Sequence, residues 1–134
     1  MRLKKSVAKL LSHERVCRVA TAGKSALHAV PVCHVLEGGR LYFGSDRTSI
    51  KVRNLQKDPR IAVVVDLYAE DWDLLRGAMI HGTAKLIRGG PQFRKIRTLL
   101  YKKYPQYPGE AALDESGSVI VEVTPVHVSA WGVD

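Results

Sequence analysis

The residues with the clearest chemical potential lie in one run, Leu41-Tyr42-Phe43-Gly44-Ser45-Asp46-Arg47-Thr48-Ser49-Ile50-Lys51. A strand-like segment ends there, small hydroxyl residues follow, and a helix-like segment begins with basic side chains close by. A helix N-terminus presents free N–H groups and the positive end of the helix dipole. Hydroxyls from Ser45, Thr48 and Ser49, with the Lys51 ammonium, would complete a phosphate site on it. The same residues also make an ordinary helix cap by Thr48 or Ser49 with a surface lysine beside it. Local chemistry alone favours the cap.

A second feature is the segment 26–36. Leu27, Ala29, Pro31, Cys33 and Val35 alternate with His28, Val30, Val32 and His34, so each set occupies one face of a strand. Pro31 cannot donate to a ladder, which predicts a free or ligand-facing side there. A planar ring lying against this strand and a core strand with a proline are equally good readings. Trp131 either anchors the end of the chain in the core or flanks such a ring. His13, His28, His34, His81 and His127 show no metal-ligand spacing, so no metal site is expected. No nucleophile elbow, Walker loop or dinucleotide fingerprint occurs. Glu70, Asp71 and Asp73 read as a solvated loop.

These residues need elements to position them. Leu3, Val7, Leu10 and Leu11 form a helical stripe over residues 3–11. Residues 15–22 and 26–36 read as strands, and Glu37-Gly38-Gly39-Arg40 as a hairpin turn leading to a short strand over 41–44. A helix over 49–57 is stopped by Asp58-Pro59. Strands are expected at 61–68 and 78–87. Gly89-Gly90-Pro91 opens a helix whose Phe93, Ile96, Leu100 and Tyr104 face inward. A Pro/Gly loop over 105–117 and two strands, 119–123 and 126–131, complete the chain. Consecutive hairpins favour a mainly β fold, an antiparallel sheet of six or seven strands closed into a barrel with peripheral helices.

With 134 residues, 46% hydrophobic and 25% charged, the chain is expected to form one domain, residues 1–134. Cys17 and Cys33, both in strand-like runs, read as small buried side chains. The basic N-terminus is followed by an interrupted apolar stretch, and no run is long enough to span a membrane, so a soluble cytoplasmic protein is expected. The net charge of +8 invites an acidic partner. The charge is spread, and aromatics at 7% are not interleaved with it as a nucleic-acid stacking platform requires.

The order of these features resembles the pyridoxamine 5'-phosphate oxidase-like family of FMN-binding split β-barrels, from about residue 13 to residue 132. The matching pieces are Val19-Ala20-Thr21, Leu27-His28-Ala29-Val30-Pro31-Val32, Leu41-Tyr42-Phe43-Gly44-Ser45, Ser49-Ile50-Lys51-Val52-Arg53-Asn54-Leu55, Asp58-Pro59-Arg60, Gly82-Thr83-Ala84 and Trp131-Gly132. The resemblance implies a homodimer with two FMN sites at the subunit interface. It places the cofactor phosphate at Gly44, Ser45, Thr48, Ser49 and Lys51. It sets the flavin ring beside His28, Ala29, Val30, Pro31 and Val32, with Trp131 near it. The oxidases of this family carry Ser-Arg-Lys where this chain has Ser49-Ile50-Lys51, and Arg47 or Arg53 is expected to replace the missing arginine.

Only Gly132, Val133 and Asp134 follow Trp131, where true pyridoxamine phosphate oxidases carry a substrate segment with arginine and histidine. The expectation is therefore a flavin-dependent oxidoreductase acting on another small molecule. Short members of the superfamily that use the deazaflavin coenzyme F-420 look similar, so a deazaflavin-dependent reductase is one alternative. A flavin-binding protein without turnover is another. The cofactor carries the redox chemistry in each enzyme reading, so no acid–base dyad need appear.

Overall fold

The computed structural model describes residues 2–133. Seven strands build one antiparallel sheet: β1 Cys17–Ala22, β2 Leu27–Val32, β3 Val35–Glu37, β4 Arg40–Asp46, β5 Arg60–Leu67, β6 Arg76–Ile87 and β7 Ser118–Trp131. Their spatial order is β2-β1-β5-β6-β7-β4-β3. Four helices accompany them: α1 Lys5–His13, α2 Ile50–Lys57, α3 Gly90–Lys103 and α4 Tyr107–Ala111. The edge strands β2 and β3 are separated in the chain by only Cys33 and His34. Three residue steps span about 10 Å at most, so the sheet must curl until its two edges approach. The result is the mostly β, curled split barrel that the strand pattern predicts.

Inside the curl, alternate residues of β1 and β5 point inward. Cys17, Val19, Ile61, Val63 and Val65 meet Val7, Leu10 and Leu11 of α1 and Leu55 of α2. The predicted stripe on α1 is therefore what closes the open end of the barrel. A second cluster packs Phe93, Ile96, Leu100 and Tyr104 of α3 against Val35, Tyr42 and Ile120. The hairpin β3–β4 turns through Gly38 at φ 58° and Gly39 at φ 77°, the left-handed pair a two-residue loop requires.

Several expectations are corrected. The run 26–36 is two strands, not one. His34 is fully buried between them, and its N–H donates to the Tyr104 hydroxyl at 3.0 Å instead of a ladder. Its Nε2 donates to the Leu11 carbonyl at 2.7 Å, while Lys103 Nζ and the Tyr104 hydroxyl both donate to its own carbonyl at 2.9 Å. These side-chain bonds take the place of strand pairing and tie the edge-to-edge crossing to α1 and α3.

The two C-terminal strands are one continuous β7. The register passes from Gly82↔Pro125 to His81↔His127, so Val126 is an extra residue in a bulge. A proline without an N–H is accommodated there without ending the strand. The loop 105–117 contains the short α4, and a 3-10 turn occupies Trp72–Leu74. Both cysteines are free; Cys17 is buried as expected, but Cys33 is exposed. Among the described residues no helix is long and apolar enough to cross a membrane.

Candidate functional site: an apolar cleft joined to a basic groove

On the outer face of the sheet, register aligns Ala29, Ala20, Ala62, His81 and His127 in one cross-strand row over β2, β1, β5, β6 and β7. Three alanines in succession leave a flat floor with no side chain standing above it. A cleft of about 700 Å³ lies over the β2, β1, β5 and β6 part of this row, walled by Thr21, Ala22, Leu27, His28, Thr83 and Val126. Its surface is mainly apolar. Leu27 is 86% and Val126 61% exposed, so two aliphatic side chains stand in solvent at its rim. The β7 bulge is what turns Val126 toward the cleft. His28 Nδ1 is buried with no hydrogen-bond partner; His28 shares its strand face with Val30 and Val32, opposite to Ala29, while bordering the cleft.

The cleft runs into a groove of about 590 Å³ bounded by Gly23, Lys24, Ile50, Arg53, Lys57 and Asp58; Ala22 and Arg60 border both spaces. Ile50, Arg53 and Lys57 share a face of α2 because they are three and four residues apart. Arg60 is bound bidentately by Asp58, at 3.0 and 2.7 Å. These hydrogen bonds hold the Asp58 carboxyl down to about 2. Among the described residues Lys24, Arg53 and Lys57 have no ion-pair partner. The groove thus carries three uncompensated cations around the exposed Ile50. An anion is the natural occupant of such a place.

The predicted phosphate residues divide between this groove and an internal cluster. Arg53 lines the groove. Arg47 does not: its guanidinium donates to the carbonyls of Ser118 at 3.1 Å, Arg88 at 3.0 Å and Glu115. Ser49 caps α2, accepting from the Val52 N–H at 3.3 Å, and its hydroxyl meets that of Ser45 at 2.8 Å. Beside Gly44 the space is filled, since a Cβ there would come within 2.6 Å of Leu113 and 2.8 Å of the Tyr107 hydroxyl. Thr48 is exposed at the start of α2, and Lys51 is half-buried. Burial lowers the Lys51 pKa, partly offset by the Asp46 carboxylate.

On β2, His28 and Ala29 line the cleft. Val30 and Val32 turn inward against the core, and Pro31 faces out from the edge strand. Trp131 lies opposite Gly77, where a Cβ would approach its ring to 2.4 Å. That is four residues along β6 from His81, or about 13 Å, so Trp131 is remote from the cleft of its own chain. Lys24, Lys57, Arg60, Ala62, His81 and Val126 are site residues that the sequence reading missed. The helical spacing of Ile50, Arg53 and Lys57 was the available signal for Lys57; Lys24 is brought in by the β1–β2 turn and His81 by register.

Solved structures with this fold include a protein described as FAD-binding from Mesorhizobium loti, at 18% identity, TM-score 0.78, covering 96% of this chain and 94% of that one. A protein described as an F-420 reductase matches at 20% identity and TM-score 0.74, covering 95% and 98%. HutZ, described as the heme storage protein of Vibrio cholerae, matches at 12% identity and TM-score 0.78, covering 99% and 96%. At these identities the likeness is one of fold. No curated protein matches this chain. The sequence profile described as pyridoxamine 5'-phosphate oxidase spans residues 3–132, from the start of α1 through the last strand. A match over nearly the whole length, on a curled antiparallel barrel of seven strands, places this chain in the pyridoxamine 5'-phosphate oxidase family.

Proposed function

We propose that this protein binds a phosphorylated flavin-type cofactor, FMN or the deazaflavin F-420, and is a homodimeric oxidoreductase acting on a small molecule other than vitamin B6 phosphate. The observation that carries this reading is the continuity of the apolar cleft with the basic groove through Ala22 and Arg60. A planar ring with an anionic tail needs that pairing of surfaces. Ala20, Ala62 and Ala29 would support the ring. Arg53, Lys57 and Lys24 would take the phosphate, with Arg53 in the place of the arginine missing at Ile50. Lys51 sits behind them and adds positive potential to the N-terminus of α2. Bound there, the cofactor supplies the hydride chemistry; the chain binds it, orients it and excludes water from one face.

Absorbance and fluorescence titrations of the purified protein with FMN and F-420 test the proposal. Saturable, salt-sensitive binding is expected, weakened about tenfold by Arg53→Ala combined with Lys57→Ala. Protein that takes up neither cofactor overturns it. Reduction of the bound cofactor by NAD(P)H with substrate-dependent reoxidation separates an enzyme from a flavin carrier.

A further inference from the structure

β7 carries one residue more than its ladder with β6 uses. Thr83 faces Thr124 and Gly82 faces Pro125, but the next pair is His81 and His127, with Val126 left out. Successive side chains on a strand point to opposite faces of the sheet. Without the extra residue His81 would oppose Val126. His127 would then pair with Ile80, which is fully buried, and point into the barrel. The bulge shifts His127 by one position and turns its imidazole onto the outer face beside that of His81. Bulges re-aim side chains in this way, often next to a functional site.

The resulting pair is open and uncommitted. Both histidines are exposed. Their ring centroids lie 6.2 Å apart with the ring planes at 55°. Among the described residues neither ring has a hydrogen-bond or ion-pair partner. Two imidazoles are thus held as nitrogen donors at opposed positions of one antiparallel ladder. A metal ion bound tetrahedrally by one nitrogen of each ring, at about 2.1 Å, sets the centroids about 5 Å apart. Side-chain rotation that closes roughly 1 Å therefore brings both rings onto one ion, with the backbone unmoved. Imidazole selects zinc, copper and nickel; magnesium and calcium demand oxygen ligands. Arg60, opposite Thr83 on β5, has its charge answered by Asp58, so it does not oppose a cation there at full strength.

We propose that His81 and His127 together bind one divalent transition-metal ion, zinc, copper or nickel, at the β6–β7 end of the cleft. Among the described residues no group of three or more histidine, cysteine or acidic side chains is placed to hold a metal, so water fills the remaining coordination positions. The site uses none of the groove cations and stands apart from the cofactor reading. The two histidines are far apart in the chain, and only the bulge and the register bring them together.

Titration of the untagged full chain with Zn2+, in competition with a chromophoric zinc indicator, tests it. A Cys33→Ser background removes the exposed thiol as a competing ligand. One ion per chain is expected, with a Kd on the order of 10 µM, because two protein ligands replace the four of a structural zinc site. His81→Asn and His127→Asn should each weaken binding at least tenfold. His13→Asn, at an exposed histidine outside the pair, should leave it unchanged, and Mg2+ should not compete. Both positions of the pair are exposed, so an unchanged Tm of the metal-free variants shows that the fold is kept. Copper reads the ligands directly. The EPR spectrum of the Cu2+-loaded protein should carry the splitting of two imidazole nitrogens, and of one in either single variant. Absence of saturable Zn2+ binding, binding that survives in the double variant, or copper held by one imidazole in the parent protein overturns the proposal. Metal binding in a protein that takes up neither FMN nor F-420 leaves this site standing and removes the cofactor reading instead.

Discussion

The Asn54 side-chain amide donates to the Thr21 hydroxyl at 3.0 Å. Asn54 belongs to α2, which carries the cations of the groove, and Thr21 to β1, which walls the apolar cleft. This bond, together with the buried Val52 and Leu55 of α2, ties the two halves of the candidate site to each other. Thr21 is 3% exposed, so no solvent replaces a lost partner freely.

Asn54→Ala is expected to cost about 1–2 kcal/mol, the usual penalty for stranding a buried hydroxyl. Thr21→Val alone should cost a similar amount, and the pair together less than the sum. Urea denaturation of the four proteins gives the coupling directly. Asn54→Ala should also weaken cofactor binding, because α2 loses its register on β1. Additive stabilities would show that the two side chains do not cooperate.

Much of this fold could be read from the sequence, and the exceptions share a cause. Alternating β1 and β5, the Gly38-Gly39 turn and the inward stripe of Phe93, Ile96, Leu100 and Tyr104 are local patterns, each enforced by its own residues. The break at His34 is not local. It depends on Tyr104 and Lys103, about 70 residues away, offering better partners than a neighbouring strand. The site divides in the same way. Lys51, Ser49 and Ser45 could be located from the helix start, whereas the groove's Lys24 joins it through the β1–β2 turn and the cleft's His81 through strand register. Arg47 was a plausible phosphate ligand by position, but three carbonyls from distant segments claim it.

Ile50→Arg restores the side chain that the family's oxidases carry in this place. Ile50 is 50% exposed in a groove already holding Lys24, Arg53 and Lys57. A guanidinium added there gains a phosphate contact but meets three like charges in the empty protein. The expected result is tighter FMN binding, by roughly fivefold at low salt and less as ionic strength rises. Stability without the cofactor should fall slightly from charge repulsion. Titrations at two salt concentrations read both effects. Unchanged affinity at low salt would mean that the phosphate lies elsewhere.

His34 makes stability depend on pH. Burial lowers its pKa from 6.5 to about 4, helped by the Lys103 ammonium, and its Nδ1 has no hydrogen-bond partner. The folded state therefore holds the neutral ring. The stabilisation is complete above the unfolded value of 6.5 and is lost as pH falls toward 4. Between pH 7.5 and 5 the loss should be about 2 kcal/mol. The carboxylates held down by neighbouring donors, such as Asp58, stay ionised across that window. Urea midpoints should drop in the wild type and much less in His34→Gln, which keeps a donor for the Leu11 carbonyl. Parallel curves for the two proteins would assign the acid sensitivity to another group.

Arg47 tests whether the hydroxyl-rich turn is scaffold or ligand site. Its Nε donates to the Ser118 carbonyl and one terminal nitrogen to the Arg88 and Glu115 carbonyls. It thereby binds the end of β4 to the segments on either side of α3. A planar guanidinium can serve three acceptors in fixed directions, and a lysine ammonium on a flexible stem cannot reproduce that fork. Arg47→Lys should therefore destabilise by about 1–3 kcal/mol although the charge is kept, and Arg47→Ala by at least as much. Cofactor affinity, measured where each variant is still folded, should change little. Arg53→Ala should behave oppositely, with near-normal stability and weakened binding. If Arg47→Lys instead keeps full stability and loses cofactor affinity, the guanidinium leaves its three carbonyls to hold the phosphate, and the anion site belongs at the α2 N-terminus rather than in the groove beside it.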